Sequence, residues 1–187
     1  FILFIPLLIY LGERSSIAYD EGYYILQSRW MIDSGNWLVP LWFDKIILDR
    51  TIGIQILLAI SQKLFGETSF GVYFPISISS CAMLFLTYLI HKELLDEKYA
   101  IISPLILSST FLWINYANMA TQDILFATVT TFGIYSSIKY SKTNKNIFLF
   151  FSGIWIGLGF MLKTYLIIIP FVAILIFFIR HKIIYKK

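Results

Sequence analysis

Five long apolar runs decide what this chain can fold into. They lie near Phe70–Ile90, Ala100–Ala117, Ala120–Ile138, Ile147–Leu162 and Thr164–Ile179. A helix needs about 20 residues, at a rise of about 1.5 Å each, to cross a bilayer, and the lysines beside the two shortest runs can extend their reach. Charged residues make up only 14% of the chain, against about 25% in soluble domains. We therefore predict an all-α polytopic membrane bundle of about six spans, counting a first one that ends near Gly12.

The charges outside these runs predict which side of the membrane each loop occupies. With this order of spans, the segments 91–99, 139–146 and 180–187 share one side and hold nine Lys or Arg residues against three acids. The opposite side holds six basic residues against eight acids. Because basic loops stay in the cytoplasm, the first side is predicted to be cytoplasmic. We expect an integral protein of the bacterial plasma membrane whose chemistry faces the extracytoplasmic side.

The segment Thr51–Gly66 is the ambiguous element of this topology. It is apolar but short, and it carries Gln55, Gln62 and Lys63. These features favour an interfacial helix that does not cross the membrane. The region 13–66 is then one extracytoplasmic loop with interfacial helices between the first and second spans.

Smaller patterns predict details of the helices. Pro104 and Pro170 are expected to kink the helices that contain them. Gly153 and Gly157 form a GxxxG pair, which is typical of a helix-packing face. The sequence SGNW at Ser34–Trp37 predicts that a helix stops at Gly35 and continues into a turn.

Four polar features are predicted to meet at the outer membrane surface. They are Asp20-Glu21, Asp49-Arg50, Asp123 at the start of a span, and Lys163 at the turn between two spans. Arg and Lys could hold a lipid-linked phosphate and neutralise it as it leaves, and a carboxylate could take the proton from an incoming hydroxyl. Solvated loop charges are the alternative interpretation of any one of these residues. Ionisable groups near the midplane, which ion-coupled transporters use, are missing from the centres of the five runs.

The segment DEGYYILQSRWMIDSGNWLVP, from Asp20 to Pro40, resembles the first extracytoplasmic loop of a known enzyme class. It is similar to the GT-C glycosyltransferases of the aminoarabinose-transferase and protein-O-mannosyltransferase type, which read DE, an aromatic helix and an SGDW-VP-like turn. The resemblance covers nearly the whole chain and corresponds to the N-terminal part of such enzymes. Because the chain begins at Phe1 inside an apolar run, we interpret residues 1–187 as a fragment of one GT-C domain.

Three later landmarks extend this resemblance, with two departures. Asp49-Arg50 matches an acid-base pair, but Thr51-Ile52 stands where two prolines are expected. The sequence MATQDILF, around Asp123, matches an LTDM-like start of a span. The sequence MLKTYL matches an L-KG turn in which Lys163 is kept and Thr164 replaces glycine.

The resemblance implies transfer of a sugar from a polyprenyl-phosphate donor to a lipid, glycan or protein acceptor, with inversion at the anomeric carbon. By motif, Asp20 is the candidate catalytic base and Asp123 a second active-site carboxylate. Arg50 and Lys163 would contact the donor phosphate. The other candidate substrate-binding residues are Glu21 and Asp49, which would support the site by pairing with these cations, and Tyr24, which lies one helical turn after Asp20.

Other readings of the sequence stay open at this stage. The alternative function is a non-catalytic polytopic membrane protein, either a transporter half or an assembly subunit. No cofactor is assigned, and a divalent cation held by Asp20, Glu21 and Asp123 is kept as an alternative. The tryptophans Trp30, Trp37 and Trp42 fit an interfacial belt or a surface that stacks on sugar or prenyl chain. Membrane lipids are expected partners, whereas nucleic acid is not, because the basic residues do not form one patch.

Overall fold

The computed structural model describes residues 2–9, 11, 16, 20–39, 41–42, 45–47 and 50–185, and side chains only as far as Arg180. The helices are α1 (Ile5–Leu8), α2 (Asp20–Ser34), α3 (Gly53–Phe65), α4 (Ser69–Leu94), α5 (Ile102–Ser109), α6 (Phe111–Tyr116), α7 (Gln122–Thr143), α8 (Asn146–Lys163) and α9 (Ile168–Tyr185). Two short strands, β1 (Leu41–Trp42) and β2 (Lys45–Ile46), form an antiparallel pair in which Leu41 faces Ile46. The helical membrane fold expected from the sequence is confirmed in this general form.

Helix α2 ends where the SGNW turn was predicted. Gly35 follows the last helical residue with a φ of +71°, a left-handed conformation that glycine adopts without steric cost. The side-chain oxygen of Asn36 then accepts hydrogen bonds from the backbone N–H groups of Leu38 and Val39. The chain therefore leaves the helix through an Asx turn before β1 begins.

Helices α2 and α3 pack through a buried polar seam. The Gln55 amide donates to the Gln27 side-chain oxygen at 2.8 Å, and the Gln62 amide donates to the Ser28 hydroxyl at 2.6 Å. All four side chains are buried. With 13 residues, α3 is about 20 Å long, which is shorter than a membrane span requires. On the other side of α3, Ile54 and Leu58 join the main apolar core with residues of α2, α4 and α7.

Helices α4 and α7 run in the same direction, with α5 and α6 returning between them. The Thr128 hydroxyl of α7 donates to the Ser79 carbonyl, and one helix end is tied by ion pairs from Lys139 and Lys142 to Glu93. The returning segment is anchored at its other end, where the Ser80 hydroxyl donates to the Ala117 carbonyl. The segments 91–99 and 139–146 therefore share one end of the bundle.

The chain reverses direction between α8 and α9. Two described helical stretches are long and apolar enough to cross a membrane, Ser69–Leu94 with 26 residues and Asn146–Arg180 with 35. The second is two helices, because Thr164 interrupts it with a φ of +42°. Lys163 contacts Asp123 at the start of α7, while Phe178 of α9 packs on Tyr140 near its end. Helices α8 and α9 therefore both lie along α7, in opposite directions.

One sequence prediction about helix details is wrong, and a second finds no packing partner among the described residues. Pro104 and Pro170 lie in the first turns of α5 and α9, where proline is tolerated, and the break between α5 and α6 falls at Thr110 instead. The GxxxG pair faces away from the described chain, since a Cβ placed on Gly153 or Gly157 meets no atom within 4 Å. The packing face of α8 is the one that buries Ser152, Trp155, Gly159 and Leu162.

Candidate functional site

The first turn of α2 brings Asp20 and Tyr24 to the same cation. Arg50 donates to the Asp20 carboxylate at 2.7 Å and to the Tyr24 hydroxyl at 2.8 Å. Its guanidinium also lies 5.1 Å and 5.2 Å from the ring centroids of Tyr23 and Tyr24. The spacing of four residues between Asp20 and Tyr24 predicted this shared face, because residues one turn apart are neighbours on a helix.

A second ion pair forms where α7 begins and α8 ends. The Lys163 ammonium donates to the Asp123 carboxylate at 2.6 Å. Asp123 lies in the first turn of α7, where the helix dipole stabilises a negative charge. Lys163 is the last residue of α8, where the dipole stabilises a positive charge. Both charged residues are therefore positioned by the ends of helices and not by a long loop.

The two ion pairs border one cleft. Its volume is about 370 Å³, and its walls come from Arg50, Thr51, Gln122, Lys163 and the turn residues 164–166. Thr51 donates to the Leu162 carbonyl at 2.6 Å, and the Gln122 amide nitrogen lies 3.5 Å from the same hydroxyl. The structure therefore brings together two predicted cations, Arg50 and Lys163, whose own positions are 113 residues apart.

Glu21 is placed differently from its neighbour Asp20. Its side chain is fully buried, and one carboxylate oxygen accepts a hydrogen bond of 2.7 Å from the backbone N–H of Ala120. A hydrogen bond to a charged group is worth about 1.5–3 kcal/mol. We expected Glu21 to support the site by pairing with cations, and the described bond shows a further role. It fixes the start of α2 against the segment that leads into α7.

The solvent exposure of the two carboxylates determines how strongly their ion pairs hold Arg50 and Lys163. The Asp20 and Asp123 side chains are 52% and 46% exposed, so their ion pairs are largely screened by solvent. Pairs of this kind contribute about 0–1 kcal/mol to stability. An incoming anion could therefore replace either carboxylate as the partner of its cation at little cost in stability.

The hydrogen bonds around Arg50 also set its charge state. Burial on its own would lower the pKa of Arg50, but the hydrogen bonds that Arg50 donates to Asp20 and Tyr24 outweigh this effect, and the pKa rises above its usual range. Burial also raises the pKa of Tyr24, although the bond with Arg50 opposes this change. At neutral pH the guanidinium is charged and the phenol carries its proton.

The described carboxylates of the candidate site do not form a cluster of three metal ligands. No group of three His, Cys, Asp or Glu side chains is arranged to hold an ion within the described ranges of the chain. The three carboxylates proposed as cation ligands meet three different groups, namely Arg50, the Ala120 N–H and Lys163. Asp49, expected to support the site, lies outside the described residues.

Aromatic side chains of the loop gather beside Arg50. The Trp42 ring packs on Tyr23 with centroids 4.7 Å apart, and it meets Trp30 edge-on at 5.7 Å. Trp37 stands apart from them, with the Lys63 ammonium 5.7 Å from its ring. Trp42 and Trp30 therefore help to pack β1 onto α2, a contact that the sequence did not predict.

Sequence reasoning missed Thr51 and Gln122. Both are uncharged and sit directly before or after a charged candidate, so no composition signal marks them. The one available sign was the departure at Thr51, where the resemblance leads one to expect proline. The structure shows a contact that depends on this departure, because the Thr51 hydroxyl donates to the Leu162 carbonyl and a proline side chain has no donor.

Comparison with known sequences identifies the family. Residues 49–187 match the sequence profile of the dolichyl-phosphate-mannose-protein mannosyltransferase family. The chain belongs to this family. The match begins at the Asp49-Arg50 pair and includes Asp123 and Lys163, so three described candidate site residues fall inside it. The resemblance to GT-C glycosyltransferases is thereby confirmed.

Named relatives of this chain are bacterial arabinosyl transferases. It is 30% identical over 152 residues to the undecaprenyl phosphate-α-4-amino-4-deoxy-L-arabinose arabinosyl transferase 2 of Proteus mirabilis, covering 79% of this chain and 28% of that protein. It is 32% identical over 115 residues to the corresponding transferase of Shewanella sediminis, covering 62% of this chain and 20% of that protein. The chain thus spans between a fifth and a third of the relatives it matches.

Solved structures share the fold. The apo crystal structure of ArnT from Cupriavidus metallidurans superposes with a TM-score of 0.85 at 16% identity, covering 94% of this chain and 35% of that protein. The ArnT structure bound to undecaprenyl phosphate gives 0.82, also at 16% identity, and covers 89% of this chain and 32% of that protein. The arrangement of helices is therefore that of an ArnT-like membrane protein.

Proposed function

We propose that this chain binds the donor phosphate and supplies the catalytic base of a polyprenyl-phosphate-dependent glycosyltransferase. The proposal rests on the shared cleft, which both Arg50 and Lys163 line. Each of these cations is paired with a half-exposed carboxylate. Family membership supports it. The ArnT structure bound to undecaprenyl phosphate makes that lipid the natural probe for the donor.

In the proposed reaction, an acceptor hydroxyl oxygen attacks the anomeric carbon of the sugar. The bond between that carbon and the phosphate oxygen breaks, and polyprenyl phosphate leaves with both bonding electrons. The hydroxyl proton passes to Asp20, and attack opposite the leaving group inverts the anomeric carbon. No step needs a metal ion, because Arg50 and Lys163 supply the positive charge that the leaving phosphate requires.

Donor binding has a direct consequence for the base. Without ligand, Arg50 donates a hydrogen bond to Asp20. When a phosphate binds in the cleft, Arg50 donates to the phosphate instead, because its guanidinium fits both carboxylate and phosphate well. Tyr24 keeps its bond to Arg50 and so holds the guanidinium in place. Asp123 positions Lys163 and the acceptor, while Glu21 and Asp49 support the site.

The finer assignments belong to the same proposal. The arabinosyl transferase relatives favour a pentosyl or hexosyl group, with a lipid, glycan or protein as acceptor. Six spans are proposed, namely the segment ending near Gly12, α4, α5 with α6, α7, α8 and α9. The cleft then faces the extracytoplasmic side of the bacterial plasma membrane, because the basic segments 91–99 and 139–146 lie at the opposite end.

Substitution of Asp20 tests the base. Asp20→Asn keeps the shape and a hydrogen-bond acceptor but cannot take a proton, so the transfer rate from a polyprenyl-phosphate sugar should fall about 10²–10⁴-fold. Asp33→Asn is the matched control, because Asp33 is an exposed residue at the other end of α2. Full activity of Asp20→Asn would rule out Asp20 as the base. Substrate flux without any transfer would favour the transporter alternative.

Accessibility labelling tests the proposed sidedness. Single cysteines at Asp20 and Glu67, in a variant without Cys81, should react with an impermeant reagent from the outer side. A cysteine at Lys142 should react only after the membrane is opened. Labelling of positions 20 and 67 from opposite sides would show that α3 crosses the membrane, and the proposed topology would be wrong.

A further inference from the structure

One hydroxyl group, that of Thr51 beside Arg50, contacts the sequence neighbours of two further charged site residues. Thr51 follows Arg50 directly, and its hydroxyl donates to the carbonyl of Leu162, the residue before Lys163. The Gln122 amide, at 3.5 Å from the same oxygen, belongs to the residue before Asp123. Thr51 therefore lies where the loop, the start of α7 and the end of α8 meet.

The end of α8 needs a restraint of this kind. Leu162 is in the last turn of the helix, where carbonyl groups lack a partner within the helix. Thr164 follows with a φ of +42°, a conformation that side chains other than glycine rarely adopt and that stores strain. The hydrogen bond from Thr51 gives the Leu162 carbonyl a partner and holds the helix end in place beside this strained turn.

Close backbone packing makes the contact possible. A Cβ on Gly53 would lie 2.6 Å from the Met161 carbonyl oxygen, so only glycine lets the start of α3 approach α8 this closely. The approach places Thr51 within 2.6 Å of the Leu162 carbonyl. Arg50 and Lys163 are consequently held on two backbone segments that are tied to each other.

We propose that Thr51 is a positioning residue for the donor site. Its hydroxyl fixes the spacing between Arg50 and Lys163, so that one phosphate can bind both cations. The proposal rests on the proposed function, since it assumes that a phosphate occupies the cleft. It adds a residue that carries no charge, contacts no reacting atom and acts through the two cations.

The test compares the binding of undecaprenyl phosphate to purified variants in detergent. Thr51→Val keeps the side-chain shape but removes the hydroxyl, and we expect binding to weaken about tenfold, the effect of one lost hydrogen bond. Thr51→Ser restores the donor and should bind within about threefold of the parent protein. In transfer assays, Thr51→Val should raise the donor KM by a similar factor and change kcat little.

Matched variants separate this idea from its alternatives. Thr131→Val removes a hydroxyl that bonds only to the Ala127 carbonyl in its own helix, and it should leave binding unchanged. If Thr51→Val is not recovered in folded form, Thr51→Ala, which relieves crowding, takes its place. Equal loss of binding in Thr51→Ser and Thr51→Val would assign the effect to packing and overturn the role of the hydroxyl.

Arg50→Gln distinguishes failure of this inference from failure of the proposed function. Loss of binding in Arg50→Gln with parental binding in Thr51→Val would reject the positioning role and keep the donor site. Parental binding in both variants would reject the donor site itself. Loss in both, with rescue by Thr51→Ser, is the result we expect.

Discussion

Replacement of Gly53 by alanine should separate the two halves of the candidate site. The added Cβ would lie 2.6 Å from the Met161 carbonyl oxygen and 2.9 Å from its carbon, whereas real contacts below 3.0 Å essentially never occur. Both atoms are backbone, so they cannot rotate away as a side chain could. The start of α3 must therefore move outward by at least about 0.4 Å, a type of overpacking that costs about 1–3 kcal/mol.

The same shift should weaken the contacts of Thr51. Its 2.6 Å bond to Leu162 lengthens, and the 3.5 Å contact with Gln122 is already at the limit of a hydrogen bond. Alanine regains about 0.5–1 kcal/mol through its better helix propensity. We therefore expect a net loss of up to about 2.5 kcal/mol in unfolding free energy, together with weaker binding of undecaprenyl phosphate.

Unfolding in mixed detergent micelles, followed by tryptophan fluorescence, measures the first effect, and titration with undecaprenyl phosphate measures the second. Gly153→Ala is the control, because the same added methyl group meets no atom within 4 Å. A Gly53→Ala protein as stable as Gly153→Ala, with parental affinity, would refute the close approach of α3 to α8. Loss of stability with parental affinity would show that the approach does not control the donor site.

Two further predictions concern other contacts. Gly133→Ala would place a Cβ 2.4 Å from the buried ring of Trp155, so the free energy of unfolding should fall by about 1–3 kcal/mol. Adding the second substitution Trp155→Phe should recover part of this loss. An unchanged unfolding curve of Gly133→Ala would contradict the packing of α7 on α8. Because the pKa of Tyr24 in the folded protein lies above its ordinary value of 10.0, the stability it contributes is complete below pH 10 and is lost as the pH rises further. The pH dependence of unfolding should therefore be flatter above pH 10 in Tyr24→Phe, and equal slopes in both proteins would contradict the raised pKa.

The sequence was sufficient for features that depend on local patterns. The DE pair at the start of a helix, the spacing of Asp20 and Tyr24, and the stop at Gly35 each follow from short-range rules of helix geometry. The apolar runs predicted α4, α7, α8 and α9 because hydrophobic length does not depend on partners. The apolar run that forms α5 and α6 was also expected to be helical, but its break at Thr110 was not expected.

Features that depend on contacts between segments distant in the chain could not be predicted from the sequence. The GxxxG pair was assigned to packing, but within the described residues the glycines that lie against α8 are Gly53 of α3 and Gly133 of α7. Spacing identifies small residues and cannot say which face of a helix another helix will cover. For the same reason Thr51 and Gln122 escaped notice, since their partners become neighbours only after α3, α7 and α8 have packed.

The contact between Thr51 and Leu162 can form only late in the synthesis of the chain. Its partners are 111 residues apart, and those of the bond between Glu21 and Ala120 are 99 apart. Neither bond can form before the ribosome has made the second partner. Until then, α2 and α3 are held to each other by contacts nearer in sequence, which include the glutamine and serine seam and the apolar residues Ile25, Ile54 and Leu58. The cleft is therefore completed by the wall that is synthesised last, when the end of α8 reaches a loop that was made long before.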